Sequence, residues 1–143
     1  MRRHVLTILA FIVATFVTQA LSHFVVAADH YAAVTYIRKE PIFAFGFLAM
    51  VIQGAILSAL YSQLTNRYGS TVAKALGFSC LMGVFLVSYI ALAEAAKYQV
   101  PNIASWIGVE LTSNLVQFSL FGSFLNFIYR NAATGNSGGS RAL

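Results

Sequence analysis

The chain has 143 residues, of which 59% are apolar and only 9% charged, and its formal net charge is +5. Soluble domains carry about 25% charged residues, so this composition excludes a soluble enzyme, a disordered chain and a typical nucleic-acid binder, and points to a small integral membrane protein. The nine Lys and Arg stand scattered at segment ends and form no phosphate-binding face, so the expected partner is the lipid bilayer and not nucleic acid, with the basic residues setting orientation.

Four apolar stretches approach the ~20 residues that a bilayer crossing needs. The first runs from Val5 to Val26. Met1-Arg2-Arg3-His4 before it and Val26-Ala27-Ala28 after it have the outline of a signal peptide, but the apolar run is too long for a signal core. It also carries Thr15, Gln19 and Ser22 at helical spacing, which predicts a retained helix. Asp29 to Glu40 reads either as a short interfacial helix capped by Asp29, with Tyr31, Val34 and Ile37 on one side, or as an irregular loop.

The second stretch, Ile42 to Leu64, follows Pro41, where a missing amide proton costs little. A tight turn is expected over Asn66–Ser70. The third stretch runs from Val72 to Ala96 and contains the lone Cys80, a packing residue with no partner for a disulfide and no zinc-ligand spacing. After a short connection containing Pro101 comes the fourth, Ile103 to Tyr129. Residues 132–143 are rich in Gly, Ser and Asn and are expected to be a disordered tail behind a single domain of residues 1–131.

Backbone polar groups in lipid must be satisfied within their own segment, and short connections favour antiparallel neighbours. The expected fold is therefore all-α, an up-down-up-down bundle of four transmembrane helices with spans of about 5–26, 42–64, 72–96 and 103–129. Arg2, Arg3, Arg67, Lys74, Arg130 and Arg141 fall on one side of this slab, and Arg38, Lys39 and Lys97 on the other. Six against three places both termini in the cytoplasm, in a multi-pass inner-membrane protein. Tyr31, Tyr36, Tyr98 and Trp106 fall near the outer boundary, Tyr61, Tyr68 and Tyr129 near the inner one, and Tyr89 deep within, as a packing aromatic.

Small residues at intervals of four predict helix contacts: Gly46, Gly54 and Ser58; Ala73 and Gly77; Ser79 and Gly83; Ala104, Gly108 and Thr112; Ser119 and Ser123. The polar residues are more telling. Thr15, Gln19, Ser22 and His23 form a stripe on the first helix, and Glu110, Asn114 and Gln117 form another on the fourth. Gln53 lies in the middle of the second helix, and Glu94, beside Lys97, lies near the outer end of the third. Glu110 stands roughly 10 Å along its helix at ~1.5 Å per residue. A charge at the bilayer centre costs about 2.5–3.5 kcal/mol on insertion scales. Glu110 should therefore face the bundle, paired or protonated, with His23 as its partner by depth and Gln19 or Asn114 as the alternatives. The expected buried polar cluster is Gln19, His23, Gln53, Glu94, Glu110, Asn114 and Gln117. It works either as a register-fixing hydrogen-bond set or in proton transfer or ligand contact. His23, His30, Asp29, Glu94 and Glu110 could also converge as mixed metal ligands, although no local spacing supports this. No catalytic residue, metal site or cofactor is assigned: a phosphate-binding glycine loop, GxSxG and HExxH are all absent.

The run Asp29-His30-Tyr31-Ala32-Ala33, then Arg38-Lys39-Glu40, a helix ending at Tyr61 and the closing Tyr129-Arg130 resemble a group of small, uncharacterised four-helix bacterial inner-membrane proteins. That group has a D-Y-A-A-like segment after its first helix, which His30 interrupts here. The resemblance implies the four-helix membrane fold and carries no catalytic residue with it. Three functions are open. One is an accessory or structural subunit that associates with itself or a larger membrane complex. Another is a small oligomeric transporter or channel with a polar path near Glu110. The third is a membrane-embedded metal- or cofactor-binding enzyme using His23, Glu94 and Glu110. The balance leans away from an enzyme.

Overall fold

The computed structural model describes residues 1–38 and 40–130, so Lys39 and the expected tail lie outside the described residues. The described residues are helical and contain no strand. Three stretches are long and apolar enough to cross a membrane: Arg2–Val26, Phe43–Tyr68 and Val72–Lys97, of 25, 26 and 26 residues.

The first stretch is α1 (Arg2–Leu21), extended by a wide π turn over Ser22–Val26. A five-residue helix, α2 (Ala28–Ala32), follows and folds back over the end of the molecule. It starts after Ala27 with no side-chain cap, so Asp29 does not cap it, and the expected longer interfacial helix gives way to turns after Ala33. α3 (Phe43–Tyr68) overruns the expected turn: Asn66, Arg67 and Tyr68 are helical, and the chain reverses at Gly69 with φ +67°, a conformation suited to glycine. α4 (Val72–Val87) begins with Thr71 accepting from the Lys74 amide at 3.3 Å. It passes through a second π turn, Ser88–Ala93, into α5 (Glu94–Lys97). Asn102 accepts from the Ser105 amide at 2.9 Å and caps α6 (Ile103–Tyr129), whose bounds match the expectation.

α6 has 27 residues and buries more of them than any other helix. It packs against α4 on one side and α1 on the other, while α3 packs against α1. The core between them is Phe11, Ala14, Leu57, Tyr61, Ala75, Phe118, Phe121, Leu125 and Tyr129. Phe11 meets Phe121 edge-on at 5.1 Å. α3 and α4, despite their tight turn, pack on different partners and touch through Tyr61 and Phe78 near that turn. Contacts pair residues in opposite order, Ile8 with Gly54 and His4 with Ser58, so α1 and α3 run antiparallel.

Only some of the small-residue rows are interfaces. A Cβ on Gly54 would lie 3.3 Å from the Ile8 Cα; one on Gly83 would lie 2.8 Å from the Phe118 ring; and one on Gly122 would lie 3.0 Å from Leu76 and Ser79. Gly46, Gly77 and Gly108 face open space, and Ala73, Ala104, Thr112 and Ser123 are exposed, so these rows do not make the predicted contacts. Large apolar side chains such as Phe45, Phe85 and Phe127 also point outward. For a helix surrounded by hydrocarbon this costs nothing, since lipid tails are as apolar as leucine.

Candidate functional site

The π turns on α1 and α4, the short α2 and the first half of α6 meet at one end of the molecule, where most of the polar residues gather. The seam between α1 and α6 is stitched by hydrogen bonds. The Gln19 amide donates to Gln117 Oε1 at 2.9 Å, and the Gln117 amide donates to the Thr15 hydroxyl at 3.0 Å. Ser22 and Ser113 share a bond of 2.7 Å. The Tyr31 hydroxyl donates to Glu110 Oε1 at 2.8 Å. These pairs advance along α6 as they retreat along α1, so the two stripes predicted from the sequence do face each other.

His23 is not the partner of Glu110. The π turn rotates the chain after Ser22, and Tyr31, carried back by α2, takes that place. His23 stacks flat on the Tyr31 ring, with centroids 3.7 Å apart and planes 10° from parallel. Its Nδ1 lies 3.1 Å from the Gln19 carbonyl. A carbonyl only accepts, so Nδ1 carries the proton and Nε2 keeps a lone pair. Trp106 is buried, and its indole donates to the Ile90 carbonyl at 3.1 Å, inside the second π turn. Tyr31, Val34 and Trp106 form a second apolar cluster that roofs Glu110. His30 bonds Ser105 through Nδ1 at 3.2 Å, while its buried Nε2 has no partner among the described residues.

Three of the predicted cluster residues stand apart from this hydrogen-bond set. Asn114 is buried, but it faces Gly83 of α4, whose missing Cβ makes room for its side-chain oxygen. Gln53 is half-buried on α3, away from the seam. Glu94 is half-buried at the start of α5, and Lys97 turns towards Tyr89, 5.0 Å above its ring and 3.4 Å from its hydroxyl. Tyr89, expected to pack inside, is exposed. His23, Glu94 and Glu110 are not gathered as ligands: among the described residues no three His, Cys, Asp or Glu side chains come together.

Sequence reasoning missed Tyr31 as the acid's partner, Ser113 as the partner of Ser22, and His4, whose Nδ1 lies 2.9 Å from the Ser58 hydroxyl. Ser113 lies three residues after Glu110 and four before Gln117, on the same helical face, so the spacing carried a signal that the choice of the larger polar side chains passed over. Beside the seam, α1 and α3 diverge from their close approach at Gly54 and enclose a cleft of about 440 Å³. Phe16, Phe24, Phe43 and Phe47 line it, with Thr15, Gln19 and His23 on the α1 wall.

The chain matches no family model, and no curated protein or solved structure is similar to it.

Proposed function

We propose that the chain is a non-catalytic, multi-pass inner-membrane protein, an accessory or structural subunit of a larger membrane complex. In this reading α6 is the fourth crossing of an up-down-up-down bundle, and its polar stripe faces neighbouring helices while its apolar side meets lipid. Both termini lie on the cytoplasmic side, where the excess of Arg and Lys belongs. The observation that carries the reading is the run of hydrogen bonds along the seam. Gln19, Gln117, Thr15, Ser22, Ser113, Tyr31 and Glu110 bond to one another across α1, α2 and α6. Such bonds fix helix register, and each contributes about 0.6 kcal/mol within a membrane. Groups consumed in this way are poor stepping stones for a permeating ion.

Purification of the full chain at native abundance, in mild detergent, tests this. A stoichiometric hetero-complex of fixed composition is expected. Elution as a homo-oligomer that carries ions across vesicles would replace this reading with the transporter. A second reading has one observation on its side: the free lone pair of His23 beside an aromatic cleft suits a lipid-soluble ligand with one hydroxyl donor.

A further inference from the structure

At the opposite end from the seam, α1 and the last turns of α6 leave a groove of about 520 Å³. Leu6, Leu9, Ala10, Val13 and Phe124 are among its apolar walls, and Arg2 and Arg3 stand at its mouth. We propose that this groove is a binding site for one anionic phospholipid, its headgroup held by Arg2 and Arg3 and an acyl chain lying along α1 and α6. The inference rests on the reading that the chain spans a bilayer and on no choice of protein partner.

Two features select this occupant. The first is charge. The Arg3 guanidinium lies 5.6 Å over the Tyr129 ring, and that of Arg130 lies 4.4 Å over Phe127, itself a wall of the groove. Two arginines are thus held at one rim by aromatic faces, and Arg2 stands beside them. The chain has four carboxylate side chains, Asp29, Glu40, Glu94 and Glu110, and all belong to the other end of the molecule. No acidic side chain of the protein neutralises this rim, so a phosphate group suits it. The second is length. From Arg2 to Val13 the groove follows α1 for about 16 Å at ~1.5 Å per residue. Half of a ~30 Å hydrocarbon core is about the same distance. A site with cations at the interface and an apolar channel one leaflet deep has the shape of a membrane lipid, and basic pockets between helices bind anionic headgroups.

The test reconstitutes the full chain in phosphatidylcholine vesicles carrying spin-labelled phosphatidylglycerol or, in parallel, spin-labelled phosphatidylcholine. The motionally restricted fraction of each label gives relative association constants. Phosphatidylglycerol is expected to be preferred. The preference should drop about fivefold for each of Arg2→Gln and Arg3→Gln. Arg67→Gln and Lys74→Gln, at the same end but outside the groove, should leave it unchanged. Leu9→Trp fills the groove with both arginines intact and should also reduce it. Equal association of the two lipids with the wild type overturns the proposal. So does an equal effect of Arg67→Gln, which would mean general surface attraction, or no effect of Leu9→Trp. Resistance of the chain to alkaline extraction is scored separately, so a failure of the membrane reading itself is distinguishable. Unchanged Trp106 emission identifies the Arg and Lys variants that keep the fold, and an unchanged far-UV circular dichroism spectrum does so for Leu9→Trp.

Discussion

Glu110 is held by a single neutral donor, the Tyr31 hydroxyl. Glu110→Gln keeps an oxygen acceptor at that point and should retain most of the stability in detergent. Glu110→Leu removes it and leaves the buried phenol without an acceptor, at a cost of about 1–3 kcal/mol. Thermal unfolding in detergent checks the order, and equal stability of the two variants would mean that the bond is not formed. Gln117 is the other centre of the seam, since it accepts from Gln19 and donates to Thr15. Gln117→Leu severs both bonds and Gln19→Leu only one. The first should cost roughly twice the second, at about 0.6 kcal/mol per bond, which a chemical unfolding series would resolve. Both stripes were legible from spacing because an α-helix returns to the same face every three or four residues. The partner of Glu110 was not legible. Tyr31 lies 79 residues away and reaches the site only through a π turn and a five-residue helix.

At the scale of helices, α4 and α6 approach closely because glycine stands where a side chain would collide. A Cβ at Gly83 would meet the Phe118 ring at 2.8 Å and Asn114 Oδ1 at 2.9 Å. At Gly122 it would meet the Leu76 backbone at 3.1 Å. Gly83→Ala and Gly122→Ala are each expected to cost about 1–3 kcal/mol through overpacking. Gly77→Ala and Gly108→Ala meet open space and should be neutral or slightly stabilising, because alanine is the better helix former. Melting curves of the four variants distinguish the contact rows from the others. The sequence offered the rows of Gly77, Gly83 and Gly108 as equivalent and left Gly122 out, for a small residue looks the same whether it faces a helix or lipid. The two π turns were likewise invisible in composition. One, at Ser22–Val26, redirects His23 away from Glu110; the other, at Ser88–Ala93, contains the Ile90 carbonyl that Trp106 engages.

For the molecule as a whole, the proposed orientation places the α3–α4 turn and the segment between α5 and α6 on opposite faces of the membrane. In a Cys80→Ala background, Asn66→Cys and Gln99→Cys should react with a membrane-impermeant maleimide from opposite sides of sealed vesicles. Labelling of both from one side would refute the alternating topology. The helical class and three stretches long and apolar enough to cross a membrane follow from the sequence alone. The reason is that hydrocarbon penalises every exposed polar backbone group, so a stretch able to cross it must be helical, apolar and ~20 residues long. Which helices touch was decided only by the tertiary structure. α3 sits on α1 and α4 on α6, although α3 and α4 are consecutive. Between apolar helices in lipid no hydrophobic gain distinguishes one face from another. The choice falls to steric fit at a few glycines and to hydrogen bonds between distant residues, and neither leaves a periodic mark in the chain.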